Sequence, residues 1–276
     1  MMIKKRKISI FLMILTLSLL IFLNLNESLE AQDEENILRV NKGGTEEYTS
    51  IQEAINNAEE GYTVYVYKGT YYENLVIDKK VNLVGEDKEN TIIDGQEKSD
   101  VIRILSDNVN VTGFTIQNAG FYLYNDGIDI DSCNNKIANN IIKRCRCGIA
   151  LELWANNCDI FQNNIEENSF GVMIYSIKSN NNIIYENNFI RNYHNGYDDS
   201  KGQWSHNSRG NYWDDYNGTV NDGDGIGDTP YNINGGTTQD EYPLVEPVET
   251  PGFELILILV AITIFTILKK KKKDYL

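Results

Sequence analysis

The sequence has few of the residues that build soft metal sites and disulfide frameworks. It contains four cysteines, two histidines and four methionines in 276 residues. Copper and zinc sites use thiolate, thioether and imidazole ligands, so this scarcity argues against such a site. All the cysteines lie in one short region: Cys133, Cys145, Cys147 and Cys158. Their even number permits disulfides in an exported protein, but their spacing matches no zinc pattern.

Basic residues are scarce outside the two chain ends. The chain has 25 Lys and Arg against 40 Asp and Glu, a net charge of −15. Many of the basic residues lie in segments 4–7 and 269–273, so the part between them is more acidic still. Phosphate binding needs a basic surface, so nucleic acid is not expected as a partner. Acidic polysaccharides are repelled as well, unless a divalent cation bridges them.

The first 31 residues have the layout of a secretory signal. Four basic residues precede an apolar run from Ile8 to Leu23, and Ala31 is a small residue near which cleavage is expected. Leu29 lies two residues before Ala31 and is not small, so retention as an anchor is the alternative. Either way, the sequence predicts that the body of the protein is exported.

The chain ends with an apolar segment, Phe253–Leu268, followed by five lysines. Such lysines place that end in the cytoplasm. The segment is somewhat shorter than the roughly 20 residues of a comfortable transmembrane helix. Its physical properties favour a membrane anchor. We therefore predict hydrophobic helices at both chain ends, with residues 247–276 forming a linker, a membrane segment and a basic tail.

Between the ends, the sequence repeats about every 24 residues. The asparagine pairs at 139–140, 163–164 and 187–188 recur at this interval, which aligns Ile141, Ile165 and Phe189 in one column. Asn211 and Tyr212 continue the same two columns one repeat later. A fixed period of this length is typical of a solenoid.

Within each repeat, the apolar residues alternate as they do in strands. Four dipeptides recur at similar intervals: Gly127-Ile128, Gly148-Ile149, Gly171-Val172 and Gly196-Tyr197. Short strands and Asn/Gly-rich turns predict an all-β fold, a right-handed parallel β-helix of about eight coils. Ile128, Ile149 and Val172 are expected to stack inside it. A ladder of hydrogen-bonded amides is expected from Asn140, Asn164, Asn188 and Asn211.

A short helix is predicted at the start of the β-helix. Ile51, Ala54, Ile55 and Ala58 share one helical face, and Ser50 and Glu53 have the spacing of a capping box. An open solenoid end exposes its core, so we expect this helix to cover it.

The segments "GTYYENLVI", "VNLVGE" and "TIIDG" after this helix resemble the start of pectin-lyase-like proteins. The resemblance is to the carbohydrate-binding and sugar-hydrolase (CASH) and NosD-like groups, and it defines a domain over residues 37–246. The ending "GNYWDDY…GDGIGDTPY" is similar to that of archaeal NosD-like surface proteins.

The motif Pro251-Gly252-Phe253, with the apolar segment and lysines, resembles the PGF-CTERM sorting signal of archaeal surface proteins. The resemblance implies an archaeosortase that removes the tail and joins the new end to a membrane lipid. It also implies residence at the cell surface, with a surface glycan or the S-layer as partner.

The outward side chains of neighbouring coils are the expected place of function. If Ile128 points inward, Asp129 and Asp131 point outward, followed by Glu152 and Trp154 and then Met173 and Tyr175. We predict a carbohydrate-binding site of Asp131, Glu152, Trp154 and Tyr175, because rings stack on sugars and carboxylates accept hydroxyl hydrogen bonds. The alternative is a solvated face of the sheet.

Catalysis requires more than this set provides. Asp129, Asp131 and Glu152 are the candidate catalytic residues. The segment "NDGIDI" resembles the Asn-Thr-Asp motif of polygalacturonases. The threonine of that motif and the Asp pair that follows it are missing here. Lyases of this fold use a basic residue near calcium-binding acids, and none is expected beside Asp129 or Asp131.

We therefore expect non-catalytic carbohydrate binding or a structural surface role. The alternatives are a polysaccharide lyase, hydrolase or epimerase, and a copper-enzyme maturation factor, as the NosD resemblance implies.

The acidic segment near the end of the β-helix is a candidate calcium site. The spacing of a calcium loop fits Asp222, Asp224, Ile226 and Asp228, although Val220 stands at the first ligand position and the final Glu is missing. We expect the segment to act mainly as a C-terminal cap. Asn110 and Asn217 begin glycosylation sequons, which are usable in an exported chain.

Overall fold

The computed structural model describes residues 36–120, 122, 125–152, 154–221 and 223–249. The predicted signal segment, the terminal apolar segment and the Pro251-Gly252-Phe253 motif lie outside these residues. Within the described part of the chain, no helix is long and apolar enough to cross a membrane.

The described residues contain one helix and 22 strands. In chain order they are β1 (Ile37–Val40), α1 (Ile51–Asn57), β2 (Thr63–Val66), β3 (Gly69–Tyr71), β4 (Leu75–Ile77), β5 (Asn82–Gly85), β6 (Thr91–Asp94), β7 (Ile102–Ile104), β8 (Asn110–Thr112), β9 (Thr115–Gln117), β10 (Asp126–Ile130), β11 (Lys136–Ala138), β12 (Ile141–Lys143), β13 (Cys147–Leu151), β14 (Asp159–Phe161), β15 (Asn164–Glu166), β16 (Phe170–Ile174), β17 (Ile183–Tyr185), β18 (Asn188–Ile190), β19 (His194–Asp198), β20 (Tyr212–Trp213), β21 (Tyr231–Asn232) and β22 (Gln239–Asp240).

Three parallel sheets run along the solenoid. Sheet 1 is β1-β2-β5-β8-β11-β14-β17, sheet 2 is β4-β7-β10-β13-β16-β19 and sheet 3 is β3-β6-β9-β12-β15-β18-β20. The predicted all-β parallel β-helix is confirmed. It has about seven turns rather than eight, because the chain leaves the coil after β20 and forms the antiparallel pair β21-β22.

The core is a set of apolar columns inside the coil. Ile128 pairs with Ile149, Ile149 with Val172, and all three are fully buried, as predicted. Each such side chain contributes on the order of 1.5–3 kcal/mol by leaving water. Stability therefore accumulates turn by turn.

Two predicted columns are displaced by one residue. In sheet 3, Ile165 pairs with Ile142 rather than Ile141, because the first step of the repeat is one residue shorter than the next. A shift of one residue exchanges the two faces of a strand, so Ile142 is fully buried. In sheet 2, Gly196 pairs with Val172 rather than with Gly171.

The same displacement changes the asparagine ladder. Its members are Asn140, Asn163, Asn187 and Asn211. The prediction that Asn164 and Asn188 belong to the ladder is therefore wrong. Each Nδ2 donates to the Oδ1 of the next asparagine, at 3.2, 3.0 and 3.0 Å. Asn164 and Asn188 form a separate pair at 2.7 Å in the neighbouring column. The ladder lies at the corner between sheets 1 and 3, where it also bonds to backbone carbonyls of the preceding turn.

A carboxylate ends this ladder. Asp240 is fully buried, and its Oδ2 accepts hydrogen bonds from Asn211 N at 2.7 Å and Trp213 Nε1 at 2.9 Å. The Trp213 ring stacks on Phe189 at 4.3 Å and on Tyr231 at 4.1 Å between centroids. The segment after β20 therefore covers the end of the core, which confirms the predicted C-terminal cap. Trp213, and not Tyr212, continues the inward column.

The helix α1 covers the other end of the core. Ser50 caps it by accepting a hydrogen bond from Glu53 N, and Ile51, Ala54 and Ile55 are buried, as predicted. The carboxylate of Glu73 adds a second cap that the sequence did not reveal. It accepts from Ser50 Oγ and from two backbone N–H groups of the first helical turn, at 2.9–3.0 Å.

We predict that Asn163→Ala lowers the free energy of unfolding by about 3 kcal/mol, because the Asn140 N–H and the Ile137 carbonyl lose buried partners. The matched control is Asn164→Ala, which removes only the outer pair and should cost less than about 1 kcal/mol. Urea unfolding of the two variants measures both values. Equal losses would contradict the assignment of Asn163 to the ladder.

Stability should also depend on the protonation of Asp240. Burial raises the pKa of this carboxyl from 3.8 to about 6, so the folded state binds its proton more tightly than the unfolded state. This contribution is complete below pH 4 and is lost as the pH rises through about 6, a change of roughly 3 kcal/mol.

The measurement is urea unfolding of the parent protein and Asp240→Asn at pH 4 and pH 7.5. Asn keeps one acceptor oxygen but cannot titrate. The free energy of unfolding of the parent protein, minus that of Asp240→Asn, should therefore be more positive at pH 4 than at pH 7.5. A difference that does not vary with pH would refute the assigned pKa.

Candidate functional site

Charged side chains gather on the outward face of sheet 2, around strands β7, β10 and β13. The register places Asp129 opposite Arg103 on one side and Ala150 on the other. Five carboxyl groups and two guanidinium groups meet here: Asp100, Asp126, Asp129, Asp131, Glu152, Arg103 and Arg146. We call this group the acidic site.

Arg103 links two of the predicted catalytic candidates. Its Nε lies 3.2 Å from Asp129 Oδ2, and its NH2 group lies 2.8 Å from Asp131 Oδ2. The prediction that no basic residue stands beside these aspartates is therefore wrong. The signal was present in the sequence, because Ile102 and Ile104 flank Arg103 just as two isoleucines flank Asp129.

A second ion pair lies deeper in the site and was not predicted. Arg146 donates from NH2 to Asp126 Oδ1 at 3.0 Å and to the Tyr175 hydroxyl. The Asp126 side chain is only 1% exposed. Three buried polar atoms have no hydrogen-bond partner among the residues that the structure describes: Asp126 Oδ2, Asp129 Oδ1 and Arg146 Nε.

Burial raises the pKa values of the carboxyls in the acidic site. The pKa of Asp126 rises to about 7, since desolvation and the charge of Asp100 outweigh the opposing effect of Arg146. The pKa of Asp129 rises to about 8, mainly through desolvation and then through the charges of Asp100 and Asp131. Desolvation also raises the pKa of Glu152. Asp126 and Asp129 therefore keep their protons to a higher pH than exposed aspartates do.

Three of these carboxyls are close enough to share one ligand. Asp126, Asp129 and Glu152 each offer an oxygen within 4.8 Å of the other two. Within the described ranges, this is the group of three or more acidic, histidine or cysteine side chains that could hold a metal ion. All its donors are carboxylate oxygens, which suit hard cations.

The predicted carbohydrate-binding residues occupy consecutive turns. The backbone N–H groups of Asp131, Glu152 and Tyr175 each donate to the preceding turn, at 3.0–3.1 Å. Their side chains diverge, because Asp131 pairs with Arg103 while the Tyr175 hydroxyl accepts from Arg146. Trp154 is 59% exposed, and its ring faces the Lys178 ammonium at 5.0 Å.

An apolar cluster adjoins the acidic site on the same face. Cys147, Ala150 and Met173 form its buried part, against which Phe170, Tyr175 and Tyr197 pack. The predicted outward residues Met173 and Tyr175 belong to it, whereas Phe170 and Tyr197 were not predicted. We call this group the aromatic cluster. It places ring surfaces one or two turns from the carboxylates.

The four cysteines are free thiols. Burial raises the pKa of Cys145 and Cys158 to about 12 and raises that of Cys147 well above its usual value. Metals bind the thiolate form, so these environments oppose a soft metal site. Cys133 donates from Sγ to the Trp154 carbonyl at 3.1 Å.

The remaining predicted residues lie away from sheet 2. In the C-terminal loop, Asp224 Oδ1 accepts from Ile226 N, and Asp228 Oδ2 accepts from Asn221 N and Nδ2. Asp222 lies outside the described residues, so calcium binding by this loop stays a prediction.

The two sequons differ in accessibility. Asn217 is exposed, whereas Asn110 lies within β8 and donates from Nδ2 to Asn82 Oδ1 at 2.6 Å.

Two family models match parts of the chain. "Periplasmic copper-binding protein (NosD)" matches residues 90–218, and "Pectinesterase" matches residues 37–135. Both matches agree with the pectin-lyase-like β-helix that the sequence predicts and the structure shows. Neither covers half of the chain. No curated protein matches the sequence.

Several solved structures are similar at low identity. Pectin methylesterase from carrot has a TM-score of 0.40 and 14% identity, with 63% of this chain and 71% of that chain covered. Pectin methylesterase from Aspergillus niger has a TM-score of 0.46 and 14% identity, with 64% of this chain and 64% of that chain covered. ORF18 of Geobacillus virus E2 has a TM-score of 0.46 and 19% identity, with 70% of this chain and 44% of that chain covered. The chain thus spans less than two thirds of the last two proteins, and similarity of this degree carries no argument about activity.

Proposed function

We propose that this protein binds a saccharide on the outward face of sheet 2. The observation that carries the proposal is the acidic site beside the aromatic cluster on one face. Sugars present hydroxyl groups at their edges and C–H groups on their faces. Carboxylates and guanidinium groups hydrogen-bond to the hydroxyls, and aromatic rings stack on the faces.

Within this site, the exposed groups are the ones that would touch the sugar. Arg103 and Asp131 are partly open to solvent, with side chains 47% and 28% exposed. Glu152 and Tyr175 are half-buried at the border between the acidic site and the aromatic cluster. Asp126 is too deeply buried to reach a saccharide. We therefore assign sugar contact to Arg103, Asp131, Glu152 and Tyr175.

The protein acts, in this proposal, at the exterior of an archaeal cell. The predicted signal segment and the tail containing Pro251-Gly252-Phe253 support export and anchoring, by a membrane segment or by a lipid after archaeosortase processing. A surface glycan or the S-layer would then be the partner. The strongly acidic composition supports solubility in that crowded environment.

We propose binding without catalysis. A copper-maturation role would need soft ligands, and burial keeps the Cys147 thiol protonated beside Met173. The close carboxyls and Arg103 favour polysaccharide cleavage as a second candidate, since paired carboxyls hydrolyse glycosidic bonds in other enzymes. Incubation with uronic-acid polymers distinguishes the two functions. Release of a cleaved product would show catalysis and contradict the proposal of binding alone.

We predict that the full chain, purified in detergent, binds a defined set of glycans on an array. Tyr175→Ala and Glu152→Gln should each weaken that binding about tenfold or more, because they remove a stacking surface and a hydroxyl acceptor. Tyr72→Ala and Glu89→Gln are matched controls, being exposed and distant in the sequence, and should leave affinity unchanged. No glycan binding on the array, or an equal loss of affinity in all four variants, would rule out this site.

Export and processing give a separate prediction. Mass spectrometry of the protein from its native membrane should show a chain that lacks residues 1–31 and the apolar segment 253–268. The new C-terminus should carry a lipid mass. A chain that retains both ends, without lipid, would contradict processing and favour two membrane anchors.

A further inference from the structure

The charge balance of the acidic site leaves room for a cation. Its five carboxyl groups face two guanidinium groups, so full ionisation leaves an excess of negative charge. Three of the five carboxyls, Asp126, Asp129 and Glu152, meet at β10 and the end of β13. Buried charge without compensation is costly, and a bound cation is one way to remove that cost.

Two of these three carboxylates each have an oxygen without a hydrogen-bond partner among the described residues. The Asp126 side chain is 1% exposed, and its Oδ2 is without a hydrogen-bond partner within the described part of the chain. Asp129 Oδ1 is in the same situation. Each of these carboxylates uses its other oxygen for an arginine, Arg146 and Arg103 respectively. One oxygen of each aspartate thus remains for a further ligand.

The spacing of the three carboxylates fits a calcium ion. Calcium binds oxygen at about 2.3–2.6 Å, so two of its ligands can lie up to about 5 Å apart. Magnesium binds at about 2.0–2.1 Å and limits this separation to about 4.2 Å. The three oxygens lie within 4.8 Å of one another, which is within the separation that calcium ligands can have. Glu152 is half-buried and gives the ion a path from solvent.

We propose that Asp126, Asp129 and Glu152 bind a calcium ion that joins two neighbouring turns of the β-helix. Asp126 and Asp129 belong to β10, whereas Glu152 directly follows β13, one turn further along. The ion would lie near Arg103, which pairs with Asp129, and its ligand Glu152 is also one of the residues proposed to contact the sugar. This site is distinct from the C-terminal loop of Asp224 and Asp228, and it does not require that a saccharide binds.

The test is calcium titration of the full chain in detergent without saccharide, by calorimetry and by thermal unfolding. We expect one site, and a rise in Tm of about 5 °C or more when calcium exceeds Kd a hundredfold. Magnesium should give a smaller rise. Glu152→Gln should weaken calcium binding at least tenfold, and Asp129→Asn should do the same.

Two controls place the ion. Asp224→Ala should keep the calcium affinity of the parent protein, as should Glu89→Gln. Circular dichroism should show that Glu152→Gln retains the β-helix, since this side chain is half-buried at the surface. No heat and no Tm rise in the parent protein would overturn the proposal. A loss confined to Asp224→Ala would also overturn it, because the ion would then belong to the C-terminal loop.

Discussion

The register between successive turns is the constraint on which the rest of the structure depends. Parallel pairing places each residue above its counterpart one turn away, and the ladder from Asn140 to Asn211 holds that alignment inside the core. Because side chains alternate between faces, a shift of one residue would turn Ile128 outward and Asp129 inward. The buried amides oppose such a shift, since each would lose several hydrogen bonds. Asp240 and Glu73 complete this polar framework at the two ends.

The same register creates the acidic site. Arg103, Asp129 and Ala150 are direct neighbours because β7, β10 and β13 pair without slippage. A parallel sheet brings together residues that are about two dozen positions apart, so charge accumulates along columns rather than along the chain. The aromatic cluster arises in the same way from β13, β16 and β19. Binding surfaces on such a fold are assembled from single residues of consecutive turns.

Much of this organisation could be read from the sequence, and the failures have identifiable causes. The alternation around Ile128, Ile149 and Val172 predicted the inward columns, and the capping box at Ser50 predicted the lid. The predicted asparagine ladder differs from the observed one by one residue at two positions. The reason is that the step from Asn140 to Asn163 is 23 residues, whereas the next step is 24. Repeated Asn-Asn pairs look identical at both positions, so only hydrogen bonding distinguishes them.

By itself, the sequence determined the fold class, the approximate period, the two caps and the outward position of Asp129, Asp131 and Glu152, because local alternation and capping are properties of short segments. Only the tertiary structure decided which residues meet. It brought Arg103 to two aspartates, buried Asp126 beside Arg146, placed the Trp154 ring against Lys178 and, among the described residues, left two carboxylate oxygens without hydrogen-bond partners. Those contacts depend on the length of each turn to within one residue, and a variable repeat does not specify that length in advance.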